Sequence, residues 1–260
     1  MKSEALQRDA ALETRLTQTL SGASLGRPIH AFARAGSTME IAHALAQDGA
    51  SEGTLVWALR QDQGRGRLGR TWESPEGGAY FSLILRPTRP VVETPQLALV
   101  AGLSAAEAIQ DAACLYPSIR WPNDLLLDGK KVGGILVEAK NDAVVVGVGI
   151  NVATRHAQLP PEAASLAAAG TSHASCEDVI AGFCQRMSHW YAVWSREAFG
   201  SIREALRPRM GHFGQPVHIT AGSRRFEGTA SDLDETGRLL VRLDSGVIRA
   251  FEVGEVTLLR

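Results

Sequence analysis

The sequence predicts an α+β fold, a mixed body of helices and strands followed by a small all-β module. Three observations predict it. Thr54–Leu59 (TLVWAL), Tyr80–Leu85 and Ala143–Val148 are short apolar runs that read as buried strands. Pro95–Ala113 is a long Ala/Leu-rich stretch with helical periodicity. From Gln215 onward, short strands (PVHIT, RRFEGTA, RLLVRL, VIRAFEV, EVTLL) alternate with turn pairs over about 45 residues, the texture of a small barrel or sandwich.

The elements follow in order. Glu4–Leu20 carries Leu6, Leu12, Leu16 and Leu20 at helical spacing, and Gly22, Gly26 and Pro28 end it. Ser37-Thr38 precedes Ile41, Ala42, Leu45 and Ala46, which is an N-cap pattern. Residues 61–78 form a glycine-rich loop between two strands. Leu125–Leu127 and Lys131–Glu138 flank Asp128-Gly129, the strongest short signal for a β-hairpin. Thr154–Ser175 is rich in Pro, Ala and Ser and reads as loop; Glu177–Glu197 and Ser201–Arg209 read as helices. The expected division is a helical extension over 1–29, a main domain over 30–211 and the β module over 212–260.

Composition removes several classes. The 260 residues carry 27 Lys+Arg against 28 Asp+Glu, a net charge of −1, so no whole surface is built to track nucleic acid. Anion binding must come from a local cluster. No apolar run reaches the roughly 18 residues of a membrane span, and the polar N-terminus shows no secretory h-region. Cys114, Cys176 and Cys184 fit neither a disulfide framework nor a zinc spacing. Reduced thiols and a cytoplasmic setting are expected.

The most informative segment is Gln61-Asp-Gln-Gly64-Arg65-Gly66-Arg67-Leu68-Gly69-Arg70-Thr71-Trp72. Glycine lets backbone N–H groups approach an anion, and arginine adds a planar, permanently charged donor fork. Trp72 offers a flat face for stacking. The Gly64-x-Gly66-x-x-Gly69 spacing is no dinucleotide fingerprint, because Pro75 and Gly77-Gly78 follow where a helix would have to start. A solvated basic turn and an RNA-binding Arg-Gly segment are the competing readings of this loop taken alone.

Two further segments accompany it. In Arg120-Trp121-Pro122-Asn123-Asp124, Pro122 should break the strand, and Asp124 offers oxygen to Mg²⁺ or closes an Asx turn on itself. In Lys131-Val-Gly133-Gly134-Ile135, regular alternation puts Lys131, Gly133 and Ile135 on one face. Lys131 is then either an edge residue or a positioned cation. Gly133-Gly134 and Gly147-Val-Gly149-Ile-Asn151 are strands stripped of side chains, against which a ligand or another backbone can lie.

Together, GSTMEIA, GRGRLGRTW, WPND, KVGGILVE, GVGIN and the C-terminal β module resemble the biotin protein ligases over about residues 30–260. The resemblance implies a mixed-sheet catalytic domain like that of class II aminoacyl-tRNA synthetases, with a C-terminal SH3-like barrel. It implies activation of biotin by Mg·ATP to biotinyl-5'-AMP, then transfer to a lysine of a biotin carboxyl carrier protein, with Mg²⁺ as cofactor. By position, biotin contacts fall on Ser37, Thr38, Gln61, Gly64, Arg65, Gly66, Arg67, Lys131 and Gly134. Nucleotide contacts fall on Arg70, Trp72, Asn123, Asp124 and Asn151, with Asp124 on the Mg²⁺ side. Lys131 and Arg67 take the catalytic roles, Lys131 as an orienting cation and not a nucleophile. Met39 stands where the family usually has Asn, and Arg120 where it usually has Lys. Some members carry an N-terminal DNA-binding domain; the short leading segment here gives the expectation of a ligase without DNA binding. A homodimer is left open. Lipoyl ligases or transferases are the nearest alternative, and a non-catalytic nucleic-acid module is the alternative from another class.

Overall fold

The computed structural model describes residues 7–171, 173–197, 199–252 and 254–258. Its main body is a seven-stranded sheet. In chain order the strands are β1 (Ile29–Phe32), β2 (Leu55–Ala58), β3 (Gly78–Leu85), β4 (Ser118–Arg120), β5 (Asp124–Leu127), β6 (Lys130–Lys140) and β7 (Ala143–Asn151). In space the order is β1-β2-β3-β7-β6-β5-β4. Only β1 and β2 run parallel; every other pairing is antiparallel. Strand β3 is buried along its whole length, which explains a run that is apolar except for Ser82.

Helices α1 (Ala10–Thr19), α3 (Gln96–Ala113) and α4 (Cys176–Glu197) contribute to the main core. Asp9 caps α1, accepting from the Ala11 and Leu12 amides at 3.0 and 3.1 Å. The expected Glu4–Leu20 helix is thus present from Ala10; residues 4–6 lie outside the described residues. Helix α2 (Thr38–Gln47) packs through Met39, Ala42 and Ala46 into a second, smaller apolar cluster with Phe32, Val56 and Ile84. Helix α5 (Gly200–Leu206) leads to the five-stranded C-terminal sheet. Its strands are β8 (Pro216–Ala221), β9 (Arg224–Leu233), β10 (Leu239–Leu243), β11 (Ile248–Phe251) and β12 (Glu255–Leu258), in the order β11-β10-β9-β8-β12.

Strand β1 has no counterpart in the sequence reading, and β4 enters it only as the strand that Pro122 should break. They span four and three residues. The Asp128-Gly129 hairpin forms as expected, with φ of 48° and 76° at its two central residues. Strand β4 ends at Arg120, just before Pro122, as expected.

One sequence expectation is corrected. Leu125 pairs with Gly133, but Leu126 pairs with Lys131, so Val132 is an extra residue on β6. This bulge reverses the alternation. Lys131 therefore shares a face with Gly134, not Gly133: a Cβ built on Gly134 would lie 3.4 Å from Lys131 Cε, whereas one on Gly133 would meet Leu125 and Ile150 on the core side.

Candidate active site

Strands β6 and β7 make a floor without side chains. Gly134 lies opposite Gly149 in the ladder. A Cβ on Gly149 would sit 2.6 Å from Trp72 Nε1, one on Gly134 3.2 Å from the same indole, and one on Gly147 2.5 Å from Met39 Sδ. Trp72 and Met39 therefore occupy space that side chains on the floor would fill. Above this floor is a cleft of about 320 Å³, within the size range of small-molecule sites.

The glycine loop forms one wall as a narrow ribbon. The Trp72 amide donates to Gly64 O (2.9 Å) and the Gly66 amide to Arg70 O (2.8 Å). Gly64 is obligatory, because a Cβ there would lie 2.3 Å from Trp72 O. Leu68 turns the tip at φ 57° and is 75% exposed.

Five cations line the cleft: Arg65, Arg67, Arg70, Arg120 and Lys131. Two carboxylates, Asp124 and Glu255, face them. Lys131 Nζ lies 2.6 Å from Asp124 Oδ1, and Arg120 Nη2 lies 2.6 Å from Asp124 Oδ2. Lys131 Nζ also stands 5.2 Å from the centre of the Trp72 ring, a cation–π arrangement. Arg67 donates to Asn123 Oδ1 at 3.0 Å. Its burial lowers its pKa from the ordinary value, but a guanidinium keeps its charge. Asn123 in turn donates from Nδ2 to Ile135 O at 3.0 Å, which fixes the turn after Trp121 on β6.

The other end of the cleft is neutral. Gln61 Oε1 accepts from the Thr38 amide (2.8 Å) and the Thr38 hydroxyl (3.0 Å), Gln61 Nε2 donates to Ser74, and Ser82 donates to Thr38 Oγ1 at 2.9 Å. Met39, Phe81, Leu136 and Val148 supply apolar surface beside this network. The cleft thus grades from a hydrogen-bonding, largely apolar end to a strongly cationic one. Such a site suits a molecule with a compact uncharged head and an anionic tail next to a second anion.

The Thr154–Ser175 segment supports this arrangement. The Lys131 amide donates to Glu162 O (3.0 Å), and the Ala164 amide donates to Lys131 O (2.9 Å). The backbone of the lysine is clamped on both sides, by β5 and by this segment. The sequence gives no sign of that contact.

Residues 31–153 match the Biotin/lipoate A/B protein ligase family, and residues 212–259 match the Biotin protein ligase C terminal domain. The Bifunctional ligase/repressor BirA of Bacillus subtilis is 36% identical over 225 residues, 83% of this chain and 69% of that protein. The biotin--[acetyl-CoA-carboxylase] ligase of Paracoccus denitrificans is 35% identical, over 76% of this chain and 89% of that protein. The chain belongs to the biotin protein ligase family. The solved biotin protein ligase from Aquifex aeolicus in complex with biotin and ATP superposes with a TM-score of 0.79 at 32% identity, covering 90% of this chain and 99% of that one. The biotin protein ligase fold, with its catalytic body and C-terminal SH3-like module, is therefore the fold of this chain. The family also favours ligase chemistry over a lipoyl enzyme or a non-catalytic nucleic-acid module.

In this biotin protein ligase, most residues singled out by sequence meet at the cleft. Thr38, Gln61, Arg65, Gly66, Arg67 and Arg70 line it, as do Trp72, Asn123, Asp124, Lys131 and Gly134. Ser37, Gly64 and Asn151 do not. Ser37 occupies the N-cap position of α2 without a side-chain cap bond, and its hydroxyl is buried without a partner. Asn151 is buried, donating from Nδ2 to Ala164 O at 3.1 Å while its Oδ1 lacks a partner. Gly64 shapes the base of the loop. Arg65 is turned toward Glu138, with Nη2 2.7 Å from Oε1.

The sequence reading passed over Glu138, His43 and Glu255. Glu255, from β12, pairs with Arg70 at 2.6 Å, and Gly254 O accepts from Arg67 at 3.5 Å. The C-terminal module is therefore part of the cleft wall. Nothing local in the VGEV segment signals this, because the partners are 185 residues away.

The donor set argues against Asp124 as a resident Mg²⁺ ligand. Both of its oxygens already face cations, and among the described residues no group of three or more His, Cys, Asp or Glu is placed to hold a metal. Magnesium keeps most of its waters and is commonly held by one or two carboxylates together with substrate phosphates.

Proposed function

We propose that this cleft joins biotin to ATP and then passes the biotinyl group to a lysine of a biotin carboxyl carrier protein. In the first step a carboxylate oxygen of biotin bonds to the α-phosphorus, and the bond to pyrophosphate breaks. In the second, the uncharged amine of the carrier lysine attacks the acyl carbon, AMP leaves, and the nitrogen sheds a proton. Two anions must approach in the first step, so cations have to offset their repulsion and the charge that grows at phosphorus.

The observation that carries this reading is the convergence of Arg67, Arg120 and Lys131 on one glycine-floored cleft. Lys131 orients the carboxylate and the α-phosphate; as an ion-paired ammonium it is a cation and not a nucleophile. The uncharged ring of biotin belongs at the Thr38–Gln61 end, beside Met39. The buried Ser37 hydroxyl, which has no protein partner, suits a ligand polar group there. The nucleotide belongs at the Trp72, Arg70 and Asn123 end. The loop carrying Arg67 then excludes water from the mixed anhydride, which would otherwise hydrolyse. The match to the Biotin protein ligase C terminal domain favours biotin over lipoate as the acyl substrate.

Three free cysteines and the nature of the substrates favour a cytoplasmic enzyme; among the described residues no helix is long and apolar enough to cross a membrane. The test is incubation with α-labelled ATP, Mg²⁺ and biotin. A labelled adenylate that requires biotin is the expected result, and one formed equally with lipoate would redirect the assignment.

A further inference from the structure

This inference rests on the reading above, in which the 61–72 loop closes over an activated acyl adenylate. Glu138 lies on β6, outside the cleft, in a separate hollow that it shares with His43 and Glu40 of α2 and with Lys140. Arg65 borders both spaces. Its guanidinium makes a two-pronged contact with the Glu138 carboxylate, Nη2 to Oε1 at 2.7 Å and Nη1 to Oε2 at 3.2 Å. From the other side His43 Nε2 reaches Glu138 Oε2 at 2.9 Å. An ionised carboxylate only accepts, so the imidazole is the donor.

One carboxylate therefore joins three pieces of the site. Strand β6 carries Lys131 and Gly134, α2 begins at Thr38, and the loop carries Arg67. On the loop's far side, Arg70 is held by Glu255 of the C-terminal module. The loop is thus moored at two points that flank Arg67, and the Glu138 mooring belongs wholly to the catalytic body.

We infer that Glu138 and His43 are positioning residues that dock the glycine loop through Arg65 and so slow the escape of the adenylate. The Arg65 side chain is 40% exposed and that of Glu138 29%, so the pair contributes little to global stability. A carboxylate that hardly stabilises the fold yet pins one strand of a ligand-covering ribbon acts on the ribbon's position.

The test has two arms. The first follows hydrogen exchange of the Gly66 and Trp72 amides, the two that close the ribbon, in the protein without ligand. Glu138→Gln should speed their exchange about fivefold, and His43→Gln by less, with little change in the melting temperature. The second arm measures how fast preformed biotinyl-AMP leaves the enzyme, expected to rise about fivefold in Glu138→Gln. The double variant R65E/E138R should recover the two exchange rates in the ligand-free protein to within about twofold, since it restores the pair with its charges exchanged.

Unchanged exchange in Glu138→Gln overturns the docking. Faster exchange with unchanged adenylate retention overturns its link to the intermediate. A double variant whose two amides exchange as fast as in Arg65→Glu alone overturns the strut role. Failure of the wild-type protein to form a biotin-dependent adenylate would instead sink the functional reading, and the exchange arm would still decide the docking.

Discussion

Lys131 and Asp124 meet at 2.6 Å across the β5–β6 hairpin, and the extra residue Val132 is what turns the lysine toward the cleft. Without that bulge, the alternation of a regular strand would aim Lys131 at the core side occupied by Leu125 and Ile150. The cation at the centre of the proposed chemistry thus depends on a one-residue irregularity in a strand pair.

Lys131→Ala should lower the rate of adenylate formation by about 10²–10³, the scale for removing one preorganised charge-stabilising group. The fold should lose less than about 1 kcal/mol, because the Lys131 side chain is 29% exposed and Asp124 keeps Arg120. Single-turnover adenylation beside a thermal melt separates the two effects. A large loss of stability with normal turnover would return Lys131 to the role of an edge residue.

Arg67→Gly should release activated biotin. The guanidinium is half-buried and bridges the loop tip to Asn123 at 3.0 Å, so its loss frees the ribbon at the point that covers the cleft. Dissociation of biotinyl-AMP should accelerate about tenfold or more, with a smaller effect on its formation, as expected when a contact that retains a ligand is removed. Retention of label through gel filtration reads this directly; wild-type retention would argue against a sealing role.

Gly149→Ala tests the floor. The added methyl would stand 2.6 Å from Trp72 Nε1, too close for both to keep their places. The indole must shift, so Trp72 fluorescence should change and the KM for ATP should rise by about tenfold, the loss expected when a stacking surface worth about 1–3 kcal/mol is displaced. Gly129→Ala is the control outside the cleft: it strains a hairpin turn at φ 76°, but its Cβ would meet nothing.

His212 gives the stability of the fold a pH dependence. It is 2% exposed, and burial, with Arg120 adding to it, pushes its pKa down to about 4. The unfolded chain, with an ordinary value near 6.5, takes up a proton that the folded chain refuses. Stability is therefore intact above about pH 6.5 and declines as pH falls toward 4, by up to about 3 kcal/mol. Chemical denaturation at pH 7 and pH 4.5 should show that loss in the wild type and a smaller one in His212→Leu. Equal slopes in both proteins would place the acid sensitivity elsewhere.

Much of this protein was legible from residue order, wherever the determining physics is local. The Asp128-Gly129 hairpin follows from two residues that accept positive φ, the 96–113 helix from sustained apolar periodicity, and the loop's cationic character from alternating glycine and arginine. The tertiary structure decided what depends on distant partners. It turned Lys131 by a bulge set by its pairing with β5, and clamped its backbone with the 160–166 segment. It drew Asn151 away from the cleft to hold that segment, and took Arg65 and Arg70 to Glu138 and Glu255. Local dihedral and burial preferences are written in a window of a few residues. Ion pairing and ladder register are set by which chain segments the packed core brings within a few ångströms, and no short window contains that information.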